Sequence, residues 1–247
     1  MYATLILEFD SDQISYYQSS NLHGYLMESI DSRYAQLLHT NHLNPYSQYV
    51  MKENGRTYWH INTLNAEAYE KIILPLSKVK QVTIKNGSIV APVISTQMSV
   101  QREQELLNEF YNTHSNGYLE ISFLTPTAFK KDGRYIFYPD LNLLYGSLMR
   151  KYTENSQSMS MFDTDTLNEL AKRSEIVRYR IQTVPFPLEK VRITGFIGTI
   201  CIHVKGNETM ARYARMLFSF GEYSGIGIKA GMGMGALRLS RREKDEG

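Results

Sequence analysis

Strand-like and helix-like segments follow one another along this chain in the order β-α-β-β-α-β, and then the order starts again. Tyr2 to Phe9 reads as a strand. Leu22, Leu26, Ile30, Tyr34 and Leu37 then recur at helical spacing, which predicts a helix from an Asn21 cap through Leu38. Asn44-Pro45 breaks it, and Asn54-Gly55 between two extended runs signals a hairpin. Asn65 caps a short helix over Ala66 to Leu74, and strand character resumes at Val79 to Ile84 and Ile89 to Val100. A short helix, Gln101 to Phe110, leads into a linker at 112–117. The second round runs through strands at Tyr118 to Phe123 and Arg134 to Tyr138, a helix capped by Asp140, and a helical piece over Thr166 to Arg173. Strands over Ile176 to Thr183 and Val191 to Val204, a helix capped by Asn207 and a last strand at Ala236 to Leu239 complete it. A split β-α-β unit run twice confines the chain to the α+β class, as tandem ferredoxin-like (RRM-like) domains over residues 1–114 and 115–247.

Composition bounds the setting. At 43% hydrophobic and 21% charged residues the chain has the make-up of a soluble globular protein. A single cysteine, Cys201, excludes an intrachain disulfide and points to a reducing compartment. No stretch reaches the roughly 18 apolar residues of a membrane span. The apolar opening lacks a basic flank and runs into Asp10 and Asp12, so it reads as a strand and not as a leader; a cytoplasmic protein is expected. The net charge of +2 conceals an imbalance. From Lys172 onward there are 14 Lys and Arg against 7 Asp and Glu, and the first 171 residues carry −5. A basic C-terminal third suggests a polyanionic partner; a scattered solvated surface has the same count.

Five glycines crowd the tail Ser224-Gly-Ile-Gly-Ile-Lys-Ala-Gly-Met-Gly-Met-Gly235, around Lys229. Glycine persists at such density where the backbone must reach positive φ or approach another molecule closely. Free amides from Gly225, Gly227, Gly231, Gly233 and Gly235, with the Lys229 charge, would grip a phosphate backbone. A floppy hairpin is the bland alternative. A P-loop is excluded because Lys229 is followed by Ala230, and a dinucleotide fingerprint because the order here is helix, glycines, strand.

Histidines are the next candidates. His39 and His42 leave the first helix in Leu37-Leu-His-Thr-Asn-His-Leu-Asn-Pro-Tyr46. A metal is not expected on them, because a zinc site uses three or four protein ligands and no cysteine lies near. A helix C-terminus favours the charged imidazolium, which suits a proton donor and equally suits a plain cap. No Gly-x-Ser-x-Gly occurs, and Cys201 inside an apolar strand reads as a small core residue. His60, His114 and His203 read as structural or exposed. Lys130, Lys131 and Arg134 surround a turn, while Arg178 with Arg180 and Lys190 with Arg192 alternate along two strands. They form either a track for RNA phosphates or a solvated sheet face.

Together these segments resemble the CRISPR-associated repeat-processing endoribonucleases of the RAMP superfamily. The likeness rests on Gly221-Glu-Tyr-Ser and the glycine tail through Gly235, on His23-Gly-Tyr-Leu-Met, Tyr34-Ala-Gln-Leu-Leu-His39 and Asn44-Pro-Tyr46, and on Thr125-Pro-Thr-Ala-Phe129 and Phe137-Tyr-Pro139. It spans nearly the whole chain in order, and looks most like the form that supplies guide RNAs to type III-A effector complexes. The resemblance implies cleavage of CRISPR repeat RNA in precursor transcripts without a metal or other cofactor. A ribose 2′-OH attacks the adjacent phosphate, leaving a 5′-OH and a 2′,3′-cyclic or 3′ phosphate. His39 falls at the family's acid/base position, with His42 in reserve. Many members add a helix tyrosine, nearest to which stand Tyr25 and Met27, and a loop lysine, whose place holds Asn44. A monomer or homodimer is implied. The rival expectation is a non-catalytic RNA-binding scaffold subunit of an effector complex, which shares the fold and the glycine loop.

Overall fold

Alternation along β1 (Tyr2–Phe9) sets the first layer: Ala3, Leu5, Leu7 and Phe9 are buried on one face, and the helices land there. The computed structural model describes residues 1–240 apart from 12, 85–87, 113–114, 157–159 and 189–190, and only the backbone of residue 109. After β1, Ser15 and Gln18 form a capping box on a 3-10 turn, Tyr16–Gln18, that opens α1 (Ser19–Ser29). The expected single helix is two. The chain extends at Ile30, and Asp31 caps α2 (Ser32–Thr40) by accepting from the amides of Arg33 and Tyr34. A good N-cap starts a helix even inside a continuous apolar stripe.

The hairpin of β2 (Tyr46–Glu53) and β3 (Arg56–Thr63) turns at Asn54 and Gly55, both at positive φ. Helix follows over α3 (Ala66–Ala68), a π turn at Tyr69–Ile73 and α4 (Leu74–Leu76), started by Asn65. Then come β4 (Gln81–Ile84) and β5 (Ile89–Gln101). The sheet order is β2-β3-β1-β5-β4, antiparallel throughout. It is the ferredoxin-like order with β5 as fourth strand and β4 added at the edge. Trp59, Ile61, Leu22, Leu26 and Ile72 fill its core.

The linking helix α5 (Glu103–Asn112) packs on the second unit, where its Leu106 is buried. That unit starts with β6 (Tyr118–Thr127), a hairpin of β7 (Phe129–Lys131) and β8 (Arg134–Ile136), and α6 (Leu141–Asn155). It continues with α7 (Thr164–Arg173), β9 (Ser174–Leu188), β10 (Val191–Val204), α8 (Glu208–Ser224) and β11 (Leu237–Leu239). The order β11-β6-β10-β9 is again ferredoxin-like. β9 runs on past the expected Thr183 through Pro185 and Pro187, which an edge strand tolerates because one side makes no ladder bonds. The anticipated caps Asp140 and Asn207 accept from the amides of Leu143 and Met210.

The two units meet along α8. Tyr2 stacks on Tyr223 at 5.4 Å and meets Phe220 edge-on at 5.7 Å, inside the second core. Ser47 Oγ donates to Tyr223 O at 2.6 Å. Buried Gln48 accepts from Trp59 Nε1 at 2.7 Å and donates to Ser19 O at 2.9 Å and Gly231 O at 3.2 Å. One side chain thereby ties β2, α1 and the glycine loop together.

Candidate active site

A cavity of about 410 Å³ opens where the end of α2 faces the glycine loop. The first unit lines it with His23 and Met27 from α1, Leu38 and His39 from α2, the loop Asn41–Asn44, and Tyr46 from β2. The second supplies Lys151, Ser224 and residues 227–232. His39 is exposed in the last turn of α2, which Asn41 N closes by donating to Leu37 O at 3.1 Å. His42 lies exposed in the following loop. His23 meets His39 with ring centroids 6.4 Å apart and planes at 89°. Its Nδ1 shares a 3.0 Å hydrogen bond with the hydroxyl of Tyr46. Burial raises the Tyr46 phenol well above its ordinary range, so it stays protonated and holds the imidazole as a neutral partner.

Packing, more than flexibility, explains the glycine loop. Gly235 has φ +73°, and a Cβ there would stand 1.9 Å from Ile226 O; at Gly227 it would meet Ala128 O at 2.3 Å. The loop amides were expected to be free, but most are spent inside the protein. Ile226 N donates to Gly235 O, Ile228 N to Ala128 O, Gly235 N to Pro126 O, and Gly227 N to Ser147 Oγ. Among the described residues, the amides of Lys229, Ala230 and Gly231, entering the 3-10 turn Ala230–Met232, have no protein acceptor. All three residues line the cavity. Lys229 takes φ +58°, uncommon for a residue with a side chain, and its side chain is exposed there. The loop amides without a protein acceptor are thus concentrated in one turn. Gly225, Gly233 and Gly235 do not line the cavity; they let Ala230, Ser19 and Ile226 close in.

Lys151 was not singled out from the sequence. It is buried on α6, and its Nζ donates to Ser224 O at 3.1 Å and Gly225 O at 3.0 Å, at the end of α8. Burial pulls its ammonium down to about 7. A signal was available: it falls three residues after Leu148 and next to Tyr152, on the apolar stripe of an amphipathic helix. His23 carried no such signal, because its partner Tyr46 is distant in sequence.

A family model described as CRISPR-associated endoribonuclease Cas6 matches residues 121–237. A CRISPR-associated endoribonuclease Cas6 of Streptococcus thermophilus is 34% identical over 224 residues, covering 90% of each chain. One of Mycobacterium tuberculosis is 36% identical over 230 residues, covering 91% of this chain and 73% of its own. The chain belongs to the Cas6 endoribonuclease family. The fold agrees, with a TM-score of 0.81 to a Cas6 product complex at 20% identity, over 97% of this chain and 99% of the other.

The remaining candidates of this Cas6-family chain are scattered. Tyr25 lies away from the cavity: its hydroxyl donates to Gln81 O at 3.2 Å and its ring meets Trp59 edge-on. Lys130, Lys131 and Arg134 are exposed on the β7–β8 hairpin, around Asp132 and Gly133 at positive φ. Arg178 is paired with Glu120 at 2.7 Å, while Arg180 and Arg192 are exposed on β9 and β10. Lys190 and His114 lie outside the described residues. Cys201 is buried, and His203 stacks on Tyr118 at 4.2 Å.

Proposed function

We propose that this Cas6-family endoribonuclease cuts CRISPR repeat RNA in precursor transcripts at the cavity between its two units, without a metal, using His39 as general acid/base. The observation that carries this reading is the convergence of His39, His23, Lys229 and three unpaired amides on one cavity. The ribose 2′-oxygen forms a bond to phosphorus as the bond to the 5′-oxygen breaks. The 2′-OH proton passes to a base and the leaving 5′-oxygen takes a proton from an acid. The two imidazoles, with ring centroids 6.4 Å apart, are assigned to opposite sides of one phosphate. His39, exposed and untethered to the core, is assigned the proton to the leaving oxygen, and His42 stands close enough in the chain to replace it. His23, fixed by Tyr46, is assigned to the 2′-OH side. Negative charge on the phosphorane meets the amides at 229–231.

Holding the RNA in line supplies much of the acceleration. The exposed cations Lys130, Lys131, Arg134, Arg180 and Arg192 are assigned to the flanking RNA phosphates. In the same reading the protein works in the cytoplasm, as a monomer or homodimer, and its guide RNAs load a type III-A effector complex. The glycine loop and the helix motifs around His39 support that assignment.

The test is cleavage of the host's repeat RNA in excess EDTA. The wild type is expected to cut, and His39→Ala to lose about 1000-fold in rate while still binding the RNA. Wild-type binding without cutting would move the chain to the scaffold class instead.

A further inference from the structure

Among the described residues, Lys151 is the only lysine or arginine that is buried. A buried cation is costly unless something pairs with it, and among the described residues no carboxylate does so. Two of its three N–H groups are accounted for by the carbonyls of Ser224 and Gly225. A neutral donor could have made both bonds at lower desolvation cost. The third N–H has no protein acceptor among the described residues, and the side chain lines the same cavity as His39 and Lys229. Its position is also better fixed than that of Lys229, which is exposed on a mobile stem.

From this placement, and resting on the cleavage reading above, we infer that Lys151 is a further catalytic residue, whose third N–H donates to a non-bridging oxygen of the scissile phosphate and stabilises the charge that builds there. The two carbonyl bonds orient the ammonium beforehand, so no reorganisation is needed as the phosphorane forms. Burial lowers the ammonium to about 7, and an arriving phosphate supplies the counter-charge that the empty cavity lacks.

The test combines variants with phosphorothioate RNA carrying sulfur at one or the other non-bridging position of the scissile phosphate. In single-turnover cleavage, Lys151→Met is expected to lose about 100-fold. Its Kd for a repeat RNA with a 2′-deoxy scissile ribose should change by less than about threefold, because the RNA track lies elsewhere. Wild type should cut one diastereomer distinctly more slowly, and Lys151→Met should lose that preference. If Lys151→Met does not fold, Lys151→Gln replaces it, keeping amide donors for the two carbonyls without the charge. Equal loss of binding and cleavage, or a diastereomer preference that survives in the variant, would overturn the inference in favour of a purely structural clamp. The His39→Ala arm separates the two ideas. Full cutting by His39→Ala overturns the cleavage reading itself, whereas an inactive His39→Ala beside a fully active Lys151→Met overturns only the role of Lys151.

Discussion

His60 stacks on Tyr49 at 4.5 Å, on the sheet face opposite Trp59 and Ile61, which packs against α8. Burial, with like charge from Arg238, pulls its imidazole from 6.5 down to about 4. Between those values the unfolded chain binds the extra proton, so this contribution to stability is complete above about pH 6.5 and is lost as pH falls toward 4. The expected loss is on the order of 2 kcal/mol. Thermal unfolding of wild type and His60→Phe across that range checks it; the variant keeps the stacked ring and should show a flatter profile. Gln48 gives a second expectation. Replacing it with Met strands Trp59 Nε1, Ser19 O and Gly231 O together, at a cost of about 2–4 kcal/mol in urea unfolding. A Gln48→Met protein with wild-type stability would mean that the glycine loop is not held through β2.

The glycine loop is the element whose chemistry depends most on backbone shape. Gly235→Ala places a Cβ against Ile226 O at positive φ, and the loop must then open. The expected result is cleavage reduced at least tenfold with a stability loss of about 2–4 kcal/mol. Gly24→Ala is the control: nothing lies within 4 Å of its added Cβ, and helix α1 should gain up to about 1 kcal/mol. The elements themselves were largely legible in the sequence because their signals are local. Asn65, Asp140 and Asn207 each announced a helix start, and Asn54-Gly55 a hairpin. Asp31 is a weaker signal, because the apolar spacing runs on through Ile30 and Tyr34 and masks the cap between them. In the site, His39, His42 and Lys229 were legible from their places at a helix end and in the glycine run. His23 and Lys151 were not, since their roles come from contacts with Tyr46, Ser224 and Gly225, which lie far from them in sequence and meet them only when each unit folds. Tyr25 shows the converse: the family resemblance made it a candidate, but its side of α1 turns toward β4.

Across the whole molecule the charge asymmetry acquires a surface. The basic C-terminal third presents exposed Arg180 and Arg192, with Lys130, Lys131 and Arg134 on the nearby β7–β8 hairpin. Binding of 2′-deoxy repeat RNA is therefore expected to weaken steeply with salt. Lys131→Ala should lower the log–log salt slope by about 0.7 if it meets one phosphate of single-stranded RNA. Arg178→Ala, already paired with Glu120, should lower it less, and equal slopes for the two variants would argue against that ordering. The cross-unit pair of Arg238 and Glu53, 3.7 Å apart and half exposed, adds at most about 1 kcal/mol, so docking rests mainly on Tyr2 and α8. Because His39 and Lys151 reach the cavity from opposite units, neither half of the chain encloses it alone. Expressed as two separate polypeptides, the halves would be silent apart and active on reassembly, so that RNA cutting becomes a reporter of their reunion.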